Sequence, residues 1–266
     1  MISPIKEATA SQIEITKTLV NYSQYVVVMT KIAAESLKTS YQVNQEKIKV
    51  IPHGAPDISL GDTDSAKNRL GIKNNRIVLT SINIIRASRG IDLVIKALPK
   101  IINNFPDLTY LVVGRDPQDA EQPYLYRGEI AQLVANLNLQ DTVKFENRYV
   151  PIEELIDFIK ATDIFITPYR PPEQSSSGSL AYAVVAGKVC ISTPYNYARE
   201  LLADGRGVIV PWLDSAAIET AVTKLLKNRG LMRDISEKAY KYGRNMIWSN
   251  VAKQYIKLFL KAANEK

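Results

Sequence analysis

The sequence alternates short, continuous apolar runs with longer segments whose apolar residues return every three or four positions. The runs are YVVVM (25–29), IKVIP (48–52), RIVLTSI (76–82), LTYLVVG (108–114), TVKFE (142–146), DIFITP, KVCIST (188–193) and GVIVP (207–211). An apolar run without polar alternation reads as a strand buried on both faces. Segments such as KIAAESLKTSY, GIDLVIKALPKIINNF, EIAQLVANLNL, PIEELIDFIKAT, SGSLAYAVVAG and YARELLAD carry helical spacing and supply the covering layers. The pattern predicts an α/β fold built on a doubly wound, Rossmann-like parallel sheet. After residue 211 only helical patterns remain. AAIETAVTKLLKN, capped by Asp214 or Ser215, and WSNVAKQYIKLFLKAANEK, capped by Ser249, predict C-terminal helices.

The loop GAPDISLGDTD (54–64) shifts composition and marks a seam between two units, expected at 1–50 and 51–266. The first, a helix, a strand and another helix, is too small to make a core alone. DTD (62–64) resembles a carboxylate pair for a metal, but its place before a short helix favours N-capping. No apolar run approaches the roughly 20 residues of a membrane-crossing helix. The N-terminal stretch has no signal-peptide core, so the expectation is a cytoplasmic protein, with a peripheral membrane position left open. Cys190, the single cysteine, reads as a small buried hydrophobe. One histidine and no CxxC or HExxH pattern argue against zinc, and no metal site is expected.

The formal net charge of +7 suits phosphorylated ligands or anionic headgroups. The basic residues are scattered without interleaved aromatics, which argues against nucleic acid. A dinucleotide fingerprint GxGxxG is absent, and DGRG (204–207) is only a tight turn.

Ligands of an open parallel sheet bind beyond the carboxyl ends of its strands. After RIVLTSI comes NIIRASRGID, where Arg86 and Arg89 precede a helix beside Gly90. A guanidinium pair at a helix start suits a diphosphate, and a solvated basic turn is the plainer reading. After DIFITP comes YRPPEQSSSGSLAYAVVAG: Ser175, Ser176, Ser177 and Gly178 form the first turn of an apolar helix. Unpaired backbone N–H groups there bind phosphate oxygens, and small side chains admit the ligand. The plainer reading is a serine-rich cap. His53 in IPHG either lines this cleft or packs at the seam, and Arg115 in VGRDP faces the cleft or solvent.

Several strand-end segments occur together in one order. VVVMTKIAAESLKTSYQVNQEKIKVIPHGAPD, ASRGIDLVIKALPKIINNFPDLTYLVVG, FENRYVPIEELIDFIKATDIFITPY and SSGSLAYAVVAGKVCISTPYNYARELLADGRGVIVP resemble a family 4 glycosyltransferase of the GT-B fold. The resemblance runs from about Ser23 to the C-terminus. It implies transfer of a sugar from a nucleotide-sugar donor (a UDP- or GDP-sugar) with retention at the anomeric carbon and without a metal ion. The donor is a substrate, so no cofactor is implied. Arg89 matches the residue placed on the donor diphosphate. Ile84 stands where the family often has a second arginine, and Arg86 is the substitute. Arg148, Tyr149 and Val150 match the segment lining the nucleobase pocket. His53, Gly54, Ser176, Ser177, Gly178 and Ser179 complete the implied donor site. The family's two glutamates fall on Gln174, with Glu173 beside it, and on Tyr182. Loss of the second carboxylate leaves the ribose contact unassigned.

A GT-B enzyme has two Rossmann-like domains, with the acceptor on the first. Here only the end of that domain is recognisable, and turnover needs acceptor and donor aligned at near-attack distance. The resemblance therefore implies a donor-binding half for transfer to an acceptor glycan or lipid: a fragment, an excised domain, or a split-gene product that pairs with a separate N-terminal domain chain. The alternative is a non-catalytic nucleotide-binding or partner subunit with a GT-B-derived fold.

Overall fold

Patterning of this kind leaves each strand two apolar faces to cover, and the chain covers both. The computed structural model describes residues 8–118 and 124–265. Residues 1–7 of the expected first unit, and Lys266 of the last helix, lie outside the described residues.

The chain begins with α1 (Ala10–Asn21), β1 (Val26–Val28), α2 (Lys31–Ser40) and β2 (Ile48–Val50). Two parallel strands, with Val26 opposite Ile48, make a small sheet of their own. The larger sheet alternates strictly: α3 (Thr63–Arg69), β3 (Ile77–Ile82), α4 (Ile91–Asn104), β4 (Leu108–Val113), α5 (Leu125–Asn136) and β5 (Val143–Glu146). Then follow α6 (Ile152–Ala161), β6 (Ile164–Thr167), α7 (Gly178–Val185), β7 (Val189–Ser192), α8 (Asn196–Leu201) and β8 (Val208–Ile209). The C-terminal helices are α9 (Ser215–Lys227), α10 (Arg229–Gly243) and α11 (Trp248–Asn264).

All six strands of the large sheet are parallel, in the order β5-β4-β3-β6-β7-β8. The expected doubly wound α/β architecture is therefore present. Successive residues of a strand feed opposite layers. Leu79, Tyr110 and Ile166 join α4, α5 and α9 on one face, whereas Val78, Leu111 and Phe165 join Phe158 of α6, Leu180 of α7 and Tyr197 of α8 on the other. Cys190 is buried in the second layer, as expected, and burial pushes its thiol up.

Several local readings change. Asp214 does cap α9, accepting from the Ala217 amide at 2.8 Å. Ser249 does not cap α11: the helix starts one residue earlier, at Trp248, with Ile247 in the cap position. Asp62 occupies the cap position of α3 in a left-handed conformation (φ 63°) and makes no side-chain cap. Its carboxylate pairs with Arg69 and Lys160 instead, because the left-handed turn aims it back along the helix flank. The helix α10 escaped individual assignment. In α10 only Ile235, Ala239 and Gly243 are buried, a narrow stripe in a charge-rich sequence. Gly243 is required there, since a Cβ would lie 2.6 Å from the Val185 Cα.

The first unit does gather a small core, with Val20, Val28, Leu37, Tyr41 and Ile48 buried together. The chain's last helix returns to it: Val251 and Leu258 of α11 bury against Ile51, with Tyr25, Val27 and Tyr255 packed around them. On its other side, Glu200 of α8 accepts from the Lys31 and Ile32 amides, both at 2.9 Å, and so closes the N-terminus of α2. A carboxylate there satisfies two orphan donors and the helix dipole together. Glu200→Ala should destabilise α2 by about 1–2 kcal/mol. Hydrogen exchange of the α2 amides should quicken accordingly, with the large sheet unchanged.

Two buried lysines sit at the opposite end of the large sheet from its strand-end loops. Lys67 pairs with Asp163 at 3.1 Å, while Lys188 donates to the Lys160 carbonyl at 2.7 Å. Burial pushes the Lys188 ammonium down to about 8; the Lys67 and Lys160 charges add to this and Asp163 opposes it. From pH 8 up to the ordinary 10.5, the unfolded chain binds a proton that the folded chain has lost. The Lys188 contribution to stability therefore rises with pH across that window, by about 3 kcal/mol, while the Cys190 thiol, held protonated by burial, contributes a fall above its ordinary 9.0. Urea unfolding should show it as a stability difference between the wild type and Lys188→Met that grows from pH 8 to 10.5.

Candidate functional site

From β3 the strand order runs outward one way through β4 and β5, and from β6 the other way through β7 and β8. Loops leaving the ends of β3 and β6 must diverge, and a crevice opens between them. The β3 loop tightens into a helical turn, Ala87–Arg89, closed by Gly90 at φ +67°. A Cβ on Gly90 would lie 2.1 Å from the Pro168 carbonyl oxygen, so only glycine lets the two loops touch. Beside that contact the Arg170 amide donates to the Ser88 carbonyl at 2.9 Å. The Arg170 guanidinium places an N–H 2.8 Å from each oxygen of buried Asp92, which also accepts from the Tyr126 hydroxyl at 2.9 Å.

The β6 loop ends at Ser177, whose hydroxyl accepts from the Leu180 amide at 3.3 Å and starts α7. The Gly178 and Ser179 amides, in the same turn, have no acceptor in the chain among the described residues. They open on a crevice of about 340 Å³ lined by Asn83, Arg89, Tyr169, Gln174 and Ser176–Ser179, with Ile82 and Ile84 beside them. Arg89 is held over the Tyr169 ring, 4.5 Å from its centroid, and donates to the Gln174 Oε1 at 3.3 Å. Its Nε is buried without a partner. Tyr169 in turn stacks on buried Tyr195 at 5.0 Å. Gln174 donates to the Ser176 carbonyl at 2.7 Å and fixes the serine turn. One guanidinium, two unpaired amides and a helix N-terminus thus converge with small side chains between them. Chemically this is an anion site with room for a bulkier attached group.

His53 stands at the rim. Its Nδ1–H donates to the Gly54 carbonyl at 2.7 Å, and its Nε2 would lie 3.3 Å from a Cβ on Gly178. A Cβ on Gly54 would lie 2.7 Å from the Trp248 ring, which explains that glycine. Tyr182 does not line the crevice. Its ring stands edge-on between His53, 6.1 Å away, and Trp248, 6.4 Å away, and burial raises its phenol. Arg86 and Glu173 also lie outside the lining. Arg148 forks onto Glu154 and reaches Glu146 at 3.3 Å, beyond β5; Tyr149 is 71% exposed and Val150 packs on the core. Arg115 lines a second hollow, of about 540 Å³, with Asp116, Tyr124 and Asn147 at the ends of β4 and β5. Its carbonyl accepts from the Ile85 amide at 2.9 Å, so the two hollows adjoin along the sheet edge. A third hollow, of about 810 Å³, runs along the flank of β4 and β5 from Asp107 to Glu146. Its guanidinium groups are already engaged, Arg69 by Asp157 and Arg148 by Glu154.

Sequence reasoning passed over Asn83, Tyr169 and Trp248. Asn83 was visible as the polar residue closing an apolar strand; Tyr169 and Trp248 act through contacts that no local pattern announces. Among the described residues no group of three or more histidines, cysteines or carboxylates is placed to hold a metal ion. No helix among them is long and apolar enough to cross a membrane.

A family model described as glycosyl transferases group 1 matches residues 62–242. An uncharacterised glycosyltransferase of Methanocaldococcus jannaschii is 26% identical over 254 residues, covering 93% of this chain and 61% of the relative. The D-inositol 3-phosphate glycosyltransferase of Corynebacterium urealyticum is 23% identical over 252 residues, covering 91% of this chain and 57% of the relative. The chain thus spans about three fifths of the length of these relatives. HepE of Anabaena, solved with UDP and glucose, superposes with a TM-score of 0.81 over 98% of this chain and 70% of its own, at 19% identity. That likeness is one of fold, the GT-B architecture.

Gly90→Ala should cost about 3 kcal/mol or more in unfolding free energy, from left-handed strain plus the clash with Pro168. Chemical denaturation measures it, and a loss below about 1 kcal/mol would mean the loops part without strain.

Proposed function

The chain belongs to the glycosyl transferases group 1 family, and we propose that it supplies the half of such an enzyme that holds the nucleotide-activated sugar. The carrying observation is the crevice at the β3/β6 divergence, where unpaired Gly178 and Ser179 amides face the Arg89 guanidinium. The donor diphosphate sits there, its charge met by the helix N-terminus and by Arg89. The nucleoside extends along the sheet edge towards the second hollow, past Arg115 and Asn147, and the sugar lies under His53. The donor is a UDP- or GDP-sugar, consistent with the UDP bound by HepE.

In this reading the configuration of the sugar is retained and no metal ion takes part. Cationic and amide donors stabilise the leaving diphosphate as the glycosidic bond to it breaks, which is charge stabilisation at a preorganised site. The acceptor, a glycan or lipid, approaches from the side of the small β1–β2 sheet. Residues 1–50 belong to the acceptor-facing domain and 51–266 to the donor domain. The +7 net charge suits a peripheral position on an anionic lipid surface. A second reading, a nucleotide-binding subunit without turnover, draws support from Tyr182: it stands where the family's carboxylate is expected and turns towards Trp248.

Calorimetric titration with UDP, GDP and their sugar conjugates tests the reading. The wild type should bind one nucleotide series with unchanged affinity in EDTA. Arg89→Ala should lose at least about 1.5 kcal/mol, the worth of a charge-assisted contact. Binding of no nucleotide would remove the donor reading, and equal affinity in the variant would remove Arg89 from it.

A further inference from the structure

Asn83 is the side chain that the chain itself leaves unfinished. Both polar atoms of its carboxamide, Nδ2 and Oδ1, are buried without a hydrogen-bond partner. A buried amide left in that state costs about 1–3 kcal/mol for each unmet group. The backbone offers no relief. Its amide donates to the Val113 carbonyl at 3.0 Å, which extends the β3–β4 ladder, and its carbonyl oxygen lies where a Cβ on Gly114 would come within 1.9 Å. The residue is therefore held rigidly, with an unsatisfied donor and an unsatisfied acceptor on a wall of the crevice that also contains Arg89, Gly178 and Ser179. Arg89 Nε is unsatisfied in the same wall. Ile84, the next residue, is 38% exposed and brings no charge to the position where the family resemblance expects an arginine.

A carboxamide differs from a guanidinium in offering both polarities. Its N–H groups match a phosphate oxygen, and its carbonyl oxygen needs a donor, which a phosphate does not supply but a hydroxyl does. A ligand that satisfies both must carry a hydroxyl close to a phosphate, as a sugar ring esterified to a diphosphate does. We propose that Asn83 is a specificity-determining contact for this chain's ligand. Nδ2–H donates to a diphosphate oxygen held at the start of α7, and Oδ1 accepts from a hydroxyl of the sugar ring esterified to it. The inference rests on the donor-binding reading and adds a selection for glycosylated over inorganic diphosphate.

The orphaned state makes the test two-sided. Asn83→Leu has nearly the same shape and removes two unmet polar atoms, so the ligand-free protein should melt at or above the wild-type temperature. The same variant should bind the preferred nucleotide sugar, UDP-glucose or GDP-mannose, at least tenfold more weakly in calorimetry. Asn83→Asp, which keeps an acceptor but turns the donor into a negative charge, should bind more weakly still. A larger loss for the nucleotide sugar than for the bare nucleoside diphosphate supports the hydroxyl contact, and a loss shared equally by both overturns it, since the diphosphate contact alone would account for it. If leucine does not fit, Asn83→Ala reads the same contrast. Wild-type affinity in the leucine or alanine variant would overturn the inference while leaving the donor reading intact. A fall in melting temperature without a fall in affinity would overturn it too, since the amide would then serve the fold. A wild type that binds no nucleotide in the panel would sink the donor reading and this inference with it.

Discussion

The contact of Gly90 with the Pro168 carbonyl is the constraint on which the site depends. Two parallel strands that lead away from each other in the sheet order leave a gap at their carboxyl ends, and the depth of that gap is set by how closely their loops approach. Here the approach is the closest a backbone allows, because no Cβ intervenes. The consequence reaches both walls. Arg89, one residue before the glycine, is brought over Tyr169, one residue after the proline. Arg170 is then drawn to Asp92 in the first turn of α4, so the two basic residues flanking this contact have separate tasks. One arginine locks the loops together, and the other is left facing the crevice.

The α7 segment completes the arrangement through a division of labour along eight residues. Its apolar body is buried in the layer under β6 and β7 and cannot shift. Its first turn, made of serine and glycine, emerges at the strand ends with unpaired amides. Rigidity behind and open backbone in front are both needed for an anion to be held at low reorganisation cost. His53, in the loop that follows β2, adds a polar rim beside Gly178.

The two units are tied by unlike means. Glu200 caps α2 with a carboxylate, while α11 spreads apolar residues over the small sheet. A polar latch on one side and an apolar strap on the other fix the seam next to the crevice.

Much of this was legible in the chain itself. Uninterrupted apolar runs spaced by amphipathic segments leave a parallel, doubly covered sheet as the consistent solution, because each strand must bury two faces. The strand-end positions of Arg89 and of the Ser176–Gly178 turn followed, since a helix that starts with serine and glycine exposes its amides whatever it packs against. What local pattern could not decide is which strands become neighbours. Only the tertiary order β4-β3-β6-β7 makes the loops after β3 and β6 face each other, and only the packing of α11 sets Trp248 beside Tyr182. Asn83 shows the limit most clearly. Its type and position were readable, but whether its amide has a partner depends on atoms far away in sequence, and such long-range satisfaction is settled only when the layers close.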